Sequence, residues 1–264
     1  MTDALDWLTG YGERGGDIAE AALMLSQLDH PNRPLKPARA HLAEIAEAMK
    51  LRASLIRDIG GGARALADLL FGQLGYEGDR EDYDNPQNAD LVSVIARRRG
   101  LPVALGILYI HGARAAGMAA SGLSAPNHFV VRLTHDGHDA IVDPFNGGAL
   151  IEPDRAPPHV PIDHESLAQV VSDASVLLRL QNNLKIRALD SGDDARALEI
   201  AERMVLISPR RPDLWFDLGR LRHQAGIPGA ARKAYEHAVA QTRANEELGH
   251  AAREALAQLK RLLN

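Results

Sequence analysis

HFVVRLTHDGHDAIVDPF, residues 128–145, reads as two strands joined by a two-residue turn. Asp136-Gly137 between alternating apolar runs is a strong hairpin signal, because a type I′ turn needs positive φ at both central positions. With those two residues in the turn, His135 faces His138, and the ladder brings Val130 opposite Asp143 and His128 opposite Phe145. His128 and Asp143 then share one face as diagonal neighbours, with about 7–8 Å between their backbones and their side chains in reach. The other face, Phe129, Val131, Leu133, Ala140 and Val142, is hydrocarbon and is expected to lie on a core. A carboxylate so placed orients an imidazole and stabilises its charged form, which is half of a catalytic triad. A His and an Asp that only satisfy one another near strand ends give the same pattern.

Upstream, Pro102 suits the first turn of a helix running through Leu105, Leu108, Tyr109 and Ala113 to Ala116 and closed by Gly117. It is apolar nearly all round and is expected to be buried. Ala119 to Leu123 supplies a third strand. Earlier, apolar residues recur at helical spacing in Ile18-Ala21-Ala22-Leu25 and Leu42-Ile45-Ala46-Met49, separated by Pro31, Pro34 and Pro37. A further helix spans Ala63 to Leu74 and ends at Gly75, while Gly60-Gly61-Gly62 reads as a loop, because no Lys-Ser/Thr follows as a phosphate cradle requires. YEGDREDYDNPQNAD, residues 76–90, reads as an acidic surface loop. Asn88 or Asp90 can cap the next helix, which carries Leu91, Val94 and Ile95 and ends in Arg97-Arg98-Arg99 before Gly100. Three cations there suit the helix dipole, although they could also hold a phosphate.

Four prolines between Pro153 and Pro161 mark a linker, and the chain beyond is helical with a 34-residue period: Leu184 recurs as Leu218, and Ala197 as Ala231. The second copy places Trp215, Leu218, Gly219, Ala231, Tyr235 and Ala238 at the offsets of a tetratricopeptide unit. The first copy is degenerate, with Gln181 and Ala201 at its two aromatic positions, but keeps Pro209. Glu246 to Leu263 reads as a capping helix, which such stacks need.

With 264 residues, 45% apolar and 25% charged, the chain is long enough for one to two globular domains. It has no cysteine, which excludes disulfides, thiolate zinc sites, iron–sulfur clusters and a cysteine nucleophile. A net charge of −5 gives no footprint for nucleic acid. The apolar run Leu101 to Ile110 is too short to span a bilayer, and MTDALDWLTG does not read as a secretory signal, so a cytoplasmic location without membrane contact is expected. His135, His138, Asp139, His159 and His164 match no metal-ligand spacing, so no metal and no cofactor is expected. His111 reads as a hydrogen-bonded core histidine.

FGQLGYEGDREDYDNPQNADLVSVIARRRGLPVALGILYIHGARAAGM (71–118), PNHFVVRL (126–133) and IVDPFNGG (141–148) together resemble bacterial transglutaminase-like proteins of the SirB type. The resemblance runs from about Ala21 to the C-terminus. It implies an α+β, mainly helical fold: a transglutaminase/papain-like core with a buried helix on a small antiparallel sheet, an N-terminal helical region, and C-terminal tetratricopeptide repeats. The implied domains are 1–172, with a helical region 1–86 and a core 87–172, and a repeat segment 173–264.

In that superfamily a cysteine at the start of the buried helix is the nucleophile, and His and Asp come from adjacent strands. Carried over, His128 would be the base, Asp143 its orienting acid, and the nucleophile would stand near Ala104. Gly100-Leu101-Pro102-Val103-Ala104-Leu105-Gly106 holds nothing that attacks a carbonyl, so the triad is vestigial. The expected function is a catalytically degenerate protein that binds a protein or peptide partner through its cleft and repeats, with Asn88, Asn127, Asn146, Trp215 and Tyr235 as binding residues. The alternative is a weak amide or ester hydrolase in which His128 and Asp143 activate water, or a serine relocated to Ser93, Ser121 or Ser124.

Overall fold

Asp136 and Gly137 both adopt positive φ, 48° and 78°, and the ladder they start runs from His135↔His138 to Val131↔Val142. This is the register that the turn residues predict. The structure, a computed structural model, describes residues 2–125, 128–151, 170–242 and 246–263. It divides into two compact units, one formed by residues 1–4 and 16–180, the other by 5–15 and 181–264.

The helices are α1 (Thr2–Leu8), α2 (Tyr11–Arg14), α3 (Ile18–Asp29), α4 (Lys36–Ala53), α5 (Ile59–Ala67), α6 (Leu91–Arg97), α7 (Pro102–Ala115), α8 (Asp173–Asp190), α9 (Asp194–Ile207), α10 (Pro212–Gln224), α11 (Pro228–Gln241) and α12 (Glu247–Leu263). The strands are β1 (Glu77–Gly78), β2 (Arg99–Gly100), β3 (Ala119–Ala125), β4 (His128–His135), β5 (His138–Asp143), β6 (Ala149–Ile151) and β7 (Val170–Val171). The five-stranded sheet is antiparallel with order β6-β5-β4-β3-β7. The fold is therefore mainly helical with one small antiparallel sheet, as expected.

In the first unit α7 packs on β3 and β4, and every residue from Pro102 to Ile110 is buried. The helix comes close because Gly106 has no side chain: a Cβ there would collide with the Phe129 ring. Gly122 of β3 meets the same ring from the neighbouring strand. Phe129 thus occupies a slot cut by two glycines.

Several local expectations are corrected. Gly60-Gly61-Gly62 is not a loop but the start of α5, because Asp58 caps that helix by accepting the Gly61 N–H at 2.6 Å, and Gly62 lets it lie against Met118. The helix beyond continues as a π-turn over Asp68–Gln73. Pro37 does not separate elements; it sits in the first turn of α4, where its missing N–H costs nothing. Residues 76–90 are only partly a surface loop. Tyr76, Asp79 and Asn88 are buried, and Glu77–Gly78 pairs in parallel with Arg99–Gly100. Of the two caps the sequence offers for α6, Asp90 is the one used, accepting the Ser93 N–H at 3.0 Å. The helix closes on Arg98 in the left-handed region (φ 60°), not on Gly100.

The second unit holds the repeat pair α9 and α10–α11, with α12 following. Gly219 admits the Tyr235 ring, since its Cβ would lie 2.6 Å from that ring. Tyr235, Ala231 and Leu259 form a buried cluster joined by Phe216 and Leu256, so the last helix covers the second repeat. The N-terminal segment also belongs here: Gly10 N–H donates to the Leu206 carbonyl at 2.8 Å, and Tyr11, stacked on Trp7 at 5.7 Å, is buried. Sequence periodicity gave no sign of this, because α2 is only four residues long. No helix among the described residues is long and apolar enough to cross a membrane.

Candidate functional site

His128 opens β4 and Asp143 closes β5, so the hairpin register carries both to the same end of the sheet. His128 Nε2 lies 2.9 Å from Asp143 Oδ2, and the two residues are 8% and 2% exposed. After Asp143, Pro144 starts a short 3-10 turn whose N-cap is Asp143 itself: Oδ1 accepts the N–H groups of Phe145 and Asn146 at 3.0 and 3.2 Å. Asn146 Nδ2 donates to Asp143 Oδ2 at 2.5 Å, and Asn146 Oδ1 accepts from Arg80. The Arg80 guanidinium lies over the Phe145 ring, 5.1 Å from its centre. Gly78 gives that ring room, since a Cβ there would overlap it.

Burial pushes the Asp143 carboxyl up, but the donors from His128 and Asn146 outweigh it and hold the group below the ordinary carboxylate range. An ionised carboxylate only accepts, so His128 Nε2 carries the proton and Nδ1 is left as the basic nitrogen. Arg179 from α8 donates to the His128 carbonyl at 2.9 Å, anchoring the strand end. Tyr109 on α7 also approaches Asp143; burial first, then the Asp143 charge, raises its phenol above the ordinary value. Its hydroxyl is buried without a hydrogen-bond partner among the described residues. Gly148, at φ 76°, is what allows the chain past Tyr109.

Ala104 is wholly buried in the first turn of α7, which Leu101 anchors by donating its N–H to the Asn88 carbonyl at 2.9 Å. Asn88 is itself wholly buried. Its amide donates to the Asp82 carbonyl at 2.7 Å and accepts from Arg97 at 2.8 Å. Thus His128, Asp143 and Asn146 come together, while Asn88 stands in a separate network that positions the start of α7. Asn127 lies outside the described residues. Trp215 and Tyr235 belong to the repeat unit, where Trp215 stacks on His237 at 4.3 Å and donates to the Pro209 carbonyl at 2.7 Å. Of the serines, Ser93 Oγ accepts from Arg33 at 3.0 Å in the Asp90 cap, Ser121 sits in β3 opposite Arg132, and the Ser124 side chain lies outside the described residues.

His111 is hydrogen-bonded but only half-buried, with Nε2 3.0 Å from the Leu42 carbonyl and Nδ1 3.8 Å from the Asp17 carboxylate. Among the described residues no three His, Asp or Glu side chains gather as metal ligands; His159 and His164 lie outside them. Sequence reasoning missed Arg80, Tyr109 and Arg179. Only Tyr109 carried a signal, as a lone phenol in a hydrocarbon helix.

A family model for the transglutaminase-like superfamily matches residues 36–182, and one for the tetratricopeptide repeat matches residues 184–264. A UPF0162 protein of Xylella fastidiosa is 35% identical over 174 residues, 62% of this chain and 62% of that protein. A UPF0162 protein of Vibrio cholerae is 33% identical over 132 residues, 50% of this chain and 49% of that one. The chain thus matches about half to three fifths of the length of these relatives. F-box only protein 21 of Homo sapiens is 33% identical over 82 residues, 31% of this chain and 13% of that protein.

Proposed function

The chain belongs to the transglutaminase-like superfamily and carries tetratricopeptide repeats, and on that premise we propose that it has lost acyl transfer and works as a protein-binding module in the cytoplasm. The observation that carries this reading is Ala104. The first turn of the buried helix, where the superfamily's nucleophile would stand, offers only buried hydrocarbon, and the whole chain lacks cysteine. Losing a triad nucleophile removes several orders of magnitude in rate, whereas the dyad's hydrogen bonds still tie two strand ends together. Repeats of this kind generally mediate protein–protein contact. Their paired helices present surfaces suited to extended or helical peptides. In this reading residues 1–172 hold the cleft and 173–264 the docking surface, and no nucleic acid, membrane or cofactor takes part.

Affinity capture with the full chain, H128A and W215A, each shown to melt cooperatively, tests the reading. The same partners are expected on the wild type and H128A and are expected to be depleted on W215A. Equal recovery on W215A would contradict docking through the repeats.

A second reading is favoured by one observation, the 2.9 Å contact that leaves His128 Nδ1 basic. A general base of that kind activates water for amide or ester hydrolysis and is worth about 10²–10⁴-fold. His128-dependent turnover with no adduct on the chain would favour it.

A further inference from the structure

The arginine triplet after α6 is three separate devices. Arg97 donates to Asp79 at 2.7 Å and Asn88 at 2.8 Å. Arg99 lies 3.1 Å from Glu77 and 3.2 Å from Glu81. Arg98 turns elsewhere. Its backbone is left-handed, a conformation that disfavours a side chain by about 1–2 kcal/mol and is usually left to glycine. Its guanidinium donates to two neutral acceptors, the Tyr76 hydroxyl and His41 Nε2, and lies over the Tyr76 ring, 4.7 Å from its centre. Among the described residues no carboxylate lies within ion-pair distance of Arg98.

Arg98 stands on an open groove of about 550 Å³ between α6 and the start of α4, with Pro34, Pro37, Val92 and Ile95 on its walls. Arg33 also lines it but is already bound to Asp90 at 2.8 Å. Glu44 on the rim is 73% exposed and is engaged by His41 Nδ1 at 3.1 Å. The groove therefore combines hydrocarbon walls with one cation that makes no ion pair with a carboxylate of the described residues, the exposed Glu44 carboxylate standing across the His41 ring from it. Both the volume and the mix of apolar walls with a few polar groups are those of small-molecule sites.

We propose that this groove binds a small organic anion: an aliphatic carboxylate whose head forks onto the Arg98 guanidinium and whose chain lies on the proline and α6 walls. Guanidinium is suited to such a head because it presents paired donors in one plane. Charge complementarity selects the anion over a neutral amphiphile. The site is independent of the His128–Asp143 pair.

Calorimetric titration of the full chain with octanoate, 1-octanol and inorganic phosphate, repeated with R98G, tests this. Glycine prefers the left-handed backbone, so R98G removes the guanidinium without straining the cap, and a cooperative melt confirms its fold. Saturable octanoate binding is expected, weaker by about tenfold or more for R98G, with octanol and phosphate each far weaker than octanoate. Unchanged octanoate affinity in R98G, octanol or phosphate binding as tightly, or no saturable octanoate binding would each overturn the proposal. Self-association through the groove that excludes octanoate would overturn it as well, by assigning the surface to a second copy.

Discussion

The His128 imidazole and the Asp143 carboxylate, 15 residues apart in sequence, meet at 2.9 Å across the open end of one hairpin. Three donors besides the imidazole fix the carboxylate: two backbone N–H groups of the turn that follows and the Asn146 amide. This carboxylate organises the loop as well as the histidine, so removing it strands the buried imidazole and three half-buried donors at once.

D143A is therefore expected to lose about 1–3 kcal/mol of stability, read from urea unfolding. The pH dependence has a definite sign. The folded carboxyl titrates below its unfolded value of about 3.9, so its stabilising contribution is complete above that pH and disappears as pH falls through the folded value. The wild type should lose stability below about pH 4 more steeply than D143N. Parallel acid curves would contradict this.

Asn146 holds Asp143 in its ionised form by donating to Oδ2. N146A should move the Asp143 carboxyl upward toward the ordinary range, followed by carboxyl-carbon chemical shifts. An unmoved titration would mean that the amide contributes nothing to the site's charge.

The two glycines around Phe129 predict a contrast. G106A and G122A force a Cβ into the ring and are expected to cost about 1–3 kcal/mol each. Gly72 has open space where a Cβ would go, so G72A should be neutral or stabilise by up to about 1 kcal/mol. Thermal unfolding of the three variants separates the cases.

The hairpin shows how much of the molecule was legible in the residues. Asp136-Gly137 dictates a turn, the turn dictates a register, and the register places His128 beside Asp143. The tetratricopeptide glycine was equally readable, because Gly219 and Tyr235 are locked in one pattern. Arg80 and Arg179 were not readable, and Tyr109 only as a lone phenol in an apolar helix, because each reaches the dyad or the turn after it from an element whose approach depends on tertiary packing. The buried parts of residues 76–90 were hidden for a similar reason. Acidic residues usually face water, and Arg97, arriving from α6, together with the Asp82 N–H makes it possible to bury Asp79. Arg98 as helix cap contradicts local propensity outright, and that conflict is what directs attention to its groove.

His41 tests the electrostatics of that groove. Burial first, then the Arg98 charge, holds its imidazolium below the ordinary value, while Glu44 opposes both. R98G should raise the His41 titration, since it removes one of the two causes that hold it down. Ring-proton shifts against pH give the answer, and a lowered or constant midpoint would contradict it.

The proposed loss of acyl transfer rests on the first turn of α7, whose residues Pro102 to Gly106 carry no side chain that could form a covalent intermediate. Intact-mass spectrometry of the full chain and H128A after incubation with p-nitrophenyl acetate tests that most directly. The mass is predicted to show no acetyl adduct that depends on His128. One acetyl per chain, present in the wild type, absent in H128A and mapped to a hydroxyl beside the imidazole, would contradict the loss of acyl transfer.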